Sequence, residues 1–232
     1  MFRGGTKCLN NAALTVDGDV VLARDRLDFL GWSVDRRLNP TPFNNKQLSA
    51  LRSRIYLMQR LSAKVPPAVL GPVARAIYNG KAAYSIEHSH PVRLTDTDTL
   101  PEITAKFQIA HNDMCRVIMR KRRIDHIRKE DLSSRAGIPS VNHTVFKRVA
   151  MLAWDAMNDK EHPAAAHFRN RCLDRPTRAS DAHKLRPLLA SSKALAMRSA
   201  IRVWNHFPEI RTAHTRAAAE NVVKKLTKKI PF

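Results

Sequence analysis

Asn39-Pro40-Thr41-Pro42 divides this chain into two kinds of pattern. Prolines so close together cannot continue a strand ladder. Ahead of them the pattern is short and β-like; behind them it is helical. Ala13-Leu14-Thr15-Val16 and Val20-Val21-Leu22 flank Asp17-Gly18-Asp19. Asp-Gly between β-branched runs predicts a tight hairpin, because the turn needs positive φ. Leu27 to Asp35 then predicts a third strand with Gly31 inside it. An interior strand glycine marks a bulge, or a place where another backbone or a ligand comes close.

From Asn45 to about Lys64 the period is helical. Leu48, Leu51, Ile55, Met58 and Leu61 recur at three- and four-residue steps and share one face. Lys46, Arg60 and Lys64 fall on the opposite face, with Arg52 and Arg54 at its flanks. Cations without an acid predict a helix that packs with one side and meets phosphate with the other. Pro66-Pro67 ends it and opens a second helix, with Val69, Leu70, Val73, Ile77 and Tyr84 apolar. Residues 88–99 read as a loop, with Asp98 or Thr99 capping a third helix from about Pro101 to Lys121. Its apolar stripe is Ile103, Phe107, Ala110, Met114 and Val117, and Arg116, Arg120 and Arg123 project opposite. Arg116, Arg120, Lys121, Arg122 and Arg123 make the densest positive run in the chain. One or two cations suit a helix C-terminus; this many predict a patch.

Shorter helices are expected at 130–135 before Gly137, at 143–158 capped within Ser140 to Asn142, and near 164–171. Others are expected from Ala194 to Trp204 and from Thr215 to Lys229. The segment 159–190 is rich in Arg, Pro, Asp and His and is expected to be flexible. The fold class that follows is α+β, mostly α, with a small antiparallel β element at about 13–35. The expected units are 1–42, 43–125 and 126–232.

Lys plus Arg number 41 against 20 Asp plus Glu, a net charge of +21. Such an excess repels itself unless something anionic neutralises it. RNA or DNA is the first expectation, ahead of an anionic membrane or an acidic protein. Cys8, Cys115 and Cys172 form no CxxC pair, which predicts a reducing compartment rather than a disulfide framework. No apolar run is long enough to span a bilayer, and Met1 to Lys7 lacks the apolar core of a signal peptide. The expected location is cytoplasm or nucleus, with no membrane partner.

No catalytic set emerges. There is no pair of adjacent aspartates on a hairpin for a two-metal site, no phosphate loop and no nucleophile elbow. His88 with His90, and His162 with His167 and Cys172, match no zinc module. The ten histidines are expected to join the basic surface at lower pH.

Several stretches together resemble non-LTR (LINE-type) retrotransposon reverse transcriptases. Thr6-Lys7-Cys8, a hairpin, and then Phe29-Leu30-Gly31-Trp32-Ser33-Val34-Asp35 is similar to the end of that family's palm, with the last stretch like its primer-grip hairpin. Lys7 sits where the family often carries a lysine. Leu51 to Leu61 and Tyr78 to Tyr84 look like its thumb. Ala136-Gly137-Ile138-Pro139-Ser140-Val141, then Lys147-Arg148-Val149-Ala150 and Trp154, resembles the region beyond the thumb. Trp204 to Arg211, followed by a lysine-rich helix, is similar to its C-terminal ending.

The resemblance implies a template–primer binder in which Phe29, Leu30, Gly31 and Trp32 position a primer end and basic thumb faces follow the phosphates. The family's catalytic Tyr/Phe-x-Asp-Asp motif would lie ahead of Met1, as would its endonuclease domain. Asp17 and Asp19 do not replace that motif, since they flank a turn glycine. The chain is therefore expected to be a fragment that binds nucleic acid without polymerising alone. Its own cofactor set is expected to be empty, with magnesium belonging to the complete enzyme. Two other readings stay open: a free-standing basic RNA- or DNA-binding protein, or maturase-like thumb domain, and a helical module that docks an acidic protein.

Overall fold

The computed structural model describes residues 13–16, 19–22, 26–35, 39–172, 184–188 and 194–232. The chain divides into two compact units, 1–46 and 47–232. The fold is mostly helical, with two antiparallel hairpins in the first unit and, among the described residues of the second, an isolated antiparallel bridge between Cys172 and Leu185. Lys7 lies outside the described residues, as do parts of the 159–190 segment.

β1 (Ala13–Val16) pairs antiparallel with β2 (Asp19–Leu22), closing with Val16 opposite Asp19 as the Asp-Gly signal predicts. The expected third strand is instead a second hairpin. β3 (Arg26–Phe29) pairs with β4 (Trp32–Asp35), with Phe29 opposite Trp32. Leu30 and Gly31 form the turn, with φ of +47° and +78°. Two positive φ values in a two-residue loop match the hairpin's right-handed twist, which is what Gly31 supplies. A bulge is not needed to explain this glycine. Ser33 is fully buried and donates to the Asp28 carboxylate across the pair, while the Arg26 guanidinium donates to Ser33 Oγ at 2.9 Å. Those contacts, the Ser33 bond first, hold the Asp28 carboxyl below the usual carboxylate range. The Trp32 ring meets Phe43 edge-on, with centroids 5.5 Å apart.

α1 (Thr41–Ser62) begins four residues earlier than the period predicts. Pro42 falls in its first turn, where a missing N–H costs nothing. Leu48, Leu51, Ile55 and Met58 are buried as expected. Gln47 donates to the carbonyls of Lys81 and Tyr84, at 2.7 and 3.0 Å, and so ties α1 to the end of α2 (Pro67–Ala82). The buried face of α2 is only partly the predicted one: Leu70 and Ile77 pack inward as expected. Leu70, Gly71, Ala74 and Tyr78 are buried, whereas Val69 and Val73 are exposed. Small residues let α2 approach its neighbours closely, and the large Tyr78 fills the space that remains.

The core of the second unit is built around α6 (Val141–Asn158). It packs against α3 (Ile86–Ser89), α4 (Glu102–Met119), α7 (Ala165–Arg169), α8 (Leu195–His206), α9 (Pro208–Arg211) and α10 (Arg216–Leu226). Val145, Phe146, Val149, Ala150, Ala153 and Trp154 are buried along it. Trp154 Nε1 donates to the Ala213 carbonyl at 3.0 Å. Ser140 caps α6 by accepting from His143 N at 3.1 Å, as predicted. Asp98 and Thr99 do not cap α4, which starts after Pro101 without a side-chain cap. Asp98 instead accepts from the N–H groups of Leu94 and Thr95 and from Arg202, and so folds on itself the expected 88–99 loop, whose first two residues in fact close α3. Within the segment expected to be flexible, Asn205 clamps Leu185 through both its N–H and its carbonyl.

α5 (Lys129–Ala136) packs on α4 and ends at Gly137, with φ +67°. Ile138 N donates to Ser133 O and Gly137 N to Ser134 O, the paired bonds of a left-handed helix stop. The Arg75 guanidinium covers this turn and donates to Ala136 O at 3.2 Å. A Cβ on Gly137 would meet that guanidinium at 3.4 Å. Gly137→Ala is expected to cost about 1 kcal/mol, from the left-handed backbone alone, in urea unfolding. An unchanged urea midpoint would show that the turn relaxes without penalty.

Candidate nucleic-acid interface

The densest positive run does not continue α4. The helix ends at Met119, and Arg120 takes a left-handed conformation with φ +53°. Lys121 N donates to Arg116 O at 2.9 Å and Arg120 N to Val117 O at 3.1 Å, the same stop that Gly137 makes. A non-glycine residue held at this φ is strained, and such positions cluster at binding sites. Arg120 also reaches the loop after α1, donating to Val65 O at 2.6 Å. Arg116 Nε donates to Arg122 O at 3.2 Å, and Arg122 N to Asp125 Oδ2 at 2.8 Å. These bonds fix the 120–125 backbone against the end of α4.

The result is an open cleft of about 440 Å³ at the C-terminal ends of α1 and α4. One wall is Gln59, Ser62 and Ala63; the other is Arg116, Val117, Arg120, Lys121 and Arg122. Four cations and no acid line it. The side chains of Lys121 and Arg122 are exposed and have no ion-pair partner among the described residues. The C-terminal carbonyl dipoles of two helices end nearby and favour these cations.

Arg123 departs from the expected patch. Its guanidinium turns back onto Asp113, with bonds of 2.9 and 2.5 Å, and that pairing holds it charged. It therefore neutralises an acid beside the cleft instead of lining it. Of the α1 cations, Lys46, Arg52, Arg60 and Lys64 are exposed. Arg54 is half-buried and donates to Ala50 O. Arg60 stands over the Tyr56 ring, 5.9 Å from its centroid. Arg60 lies in the last turn of α1 and Lys64 just after it, beside the wall but not lining it; Lys46, Arg52 and Arg54 lie further back along α1. Phe29, Leu30, Gly31 and Trp32 belong to the first unit, where Leu30 stands at the hairpin tip with 79% of its surface exposed. The polar wall of Gln59 and Ser62 carried no charge signal in the sequence.

The histidines do not all join the surface. His90 and His111 are buried, and burial pushes each down to about 4. His90 Nδ1 meets Thr104 Oγ1 at 2.9 Å and its ring packs edge-on to Phe107. His111 Nε2 lies 3.4 Å from Cys115 Sγ. Cys115 is free, and burial pushes its thiol up to about 12, which leaves it no thiolate character near neutral pH. No group of three or more His, Cys, Asp or Glu that could hold a metal occurs among the described residues. Among them, too, no helix is long and apolar enough to cross a membrane.

No protein-family model, no curated protein and no solved structure matches this chain.

Proposed function

We propose that this chain binds nucleic acid by its phosphate backbone, in the cleft between the ends of α1 and α4. It would do so as the thumb of a non-LTR reverse transcriptase holds its template–primer duplex. The observation that carries the reading is a cleft lined by Arg116, Arg120, Lys121 and Arg122 without an acid, on a chain of net charge +21. Guanidinium forks suit phosphate oxygens, and a lysine adds a mobile point charge. Contacts of this kind set position on a duplex without reading sequence. The hairpin of β3 and β4 would be the primer grip of the same reading, with Leu30 at its tip. The activity proposed is binding without a chemical step, with magnesium belonging to the complete family enzyme.

Binding to RNA–DNA hybrid and to duplexes of unrelated sequence is expected to be equal within about threefold. Log K is expected to fall linearly with log salt, by about 0.9 per phosphate neutralised on B-DNA. A filter-binding series across salt concentrations reads both. Affinity independent of salt would contradict the proposal. A strong preference for one structured RNA would replace it with a sequence-reading, maturase-like role.

A further inference from the structure

A second groove lies away from the α1–α4 cleft, between α6 and α10, with a volume of about 440 Å³. Its floor is Pro139, Met151 and Val223, and its rim carries Lys147, Arg148 and Lys224. Arg216 and Glu220 also line it but pair with each other at 2.9 Å, and Arg216 pairs further with Asp155 at 3.1 Å. Those charges are spent inside the fold. Lys147, Arg148 and Lys224 have no ion-pair partner among the described residues.

The two helices present matching stripes. Lys147, Arg148 and Met151 follow one another within a turn on α6. Glu220, Val223 and Lys224 do so on α10, since residues three and four apart share a face. From Arg216 to Lys224 the stripe runs about 12 Å, two turns of a docked helix. An aliphatic floor between basic rims is complementary to a helix with apolar anchors on one face and carboxylates beside them. Met151 is unbranched and adaptable, as anchor-accepting positions often are.

Nucleic acid fits this groove poorly. Single strands bind where aromatic side chains offer stacking platforms, and none lines the groove. Phosphates laid over Pro139 and Met151 would lose water without gaining donors there. We infer that the α6–α10 groove docks an acidic amphipathic helical segment of a partner protein, with its apolar residues on Pro139 and Met151 and its carboxylates on Lys147, Arg148 and Lys224. This surface is separate from the phosphate cleft and does not depend on it.

The test uses the full chain and a fluorescent peptide of about twenty residues, with leucines at helical spacing and glutamates elsewhere. A scrambled peptide of the same composition controls for charge alone. The amphipathic peptide is expected to bind at least about tenfold more tightly than the scrambled one. Lys147→Glu with Arg148→Glu and Lys224→Glu is expected to weaken it about tenfold more than the same reversals at Arg128, Arg135 and Lys160, which carry equal charge on other exposed surfaces. Methyl resonances of Met151 in the unaltered chain should shift on titration, which reads the site without a variant. Equal binding of the two peptides, or no shift at Met151, would overturn the proposal. So would displacement of the peptide by a single-stranded oligonucleotide that itself shifts Met151; the groove would then belong to nucleic acid.

Discussion

Lys121→Glu combined with Arg122→Glu is expected to lower affinity for an RNA–DNA duplex by about a hundredfold at about 0.1 M salt. The salt slope should fall by about two, one for each phosphate contact removed. Both side chains are exposed and have no ion-pair partner among the described residues, so the fold's stake in their charge is limited to the helix-end dipoles. Arg120→Gly separates binding from stability in a second way. Glycine relieves the left-handed backbone at φ +53°, worth about 1 kcal/mol, and gives up an exposed hydrogen bond to Val65 O of similar size. Its unfolding midpoint should stay close to that of the parent while binding weakens. The opposite pattern, lower stability with unchanged affinity, would make Arg120 a helix stop and nothing more. Arg123→Ala should behave differently again. It frees Asp113 beside the cleft, so affinity should drop although Arg123 itself does not line the site.

Acid is expected to unfold the second unit through His90 and His111. Each has an ordinary value of 6.5 and is pushed down to about 4 by burial. The unfolded chain therefore binds more protons than the folded one between these values. The stability contributed by neutral burial is full above pH 6.5 and is lost as pH falls from there toward 4. At pH 4.5 the loss comes to about 2.5 kcal/mol for each histidine, at 1.36 kcal/mol per pH unit of difference. The groups packed around them do not offset this. Thr104 and Phe107 meet His90, Cys115 and Tyr78 meet His111, and His143 opposes a charge on His111. Urea midpoints at pH 7.5 and 4.5 check the prediction, with His90→Gln and His111→Gln flattening the profile even if both lower its plateau. A profile that stays steep in the double variant would assign acid sensitivity to other groups.

The sequence made the long helices legible because their apolar periods are strong, as in Leu48 to Met58 on α1 and Phe107 to Val117 on α4. Only part of the face of α2 was legible: Leu70 and Ile77 pack inward, but Val69 and Val73 count as apolar while packing selected Gly71, Ala74 and Tyr78. Close approach of backbones decided that face, and a hydropathy pattern does not encode it. The hairpin of β3 and β4 is anticipated by the family resemblance but not by the residue pattern, because Leu30-Gly31 lacks the Asn-Gly or Asp-Gly signature of its turn. The cleft was legible as a charge run, but its shape was not. No glycine marks the stop at Arg120, and the partner that removes Arg123 lies ten residues back at Asp113. The α6–α10 groove was visible only as the pair Lys147-Arg148 and a separate lysine-rich helix, with nothing in the sequence to bring them together.

Stretches that carry the family resemblance also have structural roles. Trp204, Phe207 and Ile210 are buried in the core of the second unit. Gly137 and Ser140 stop one helix and cap the next. Such roles explain these residues by packing and backbone geometry alone, so the functional reading rests on the cleft.

Lysine acetylation with and without saturating RNA–DNA hybrid tests that reading most directly. Lys121, which lines the cleft, should be protected by the duplex, and Lys160, exposed on the segment after α6, should react at the same rate in both samples. Equal reactivity of Lys121 with and without duplex would contradict the account.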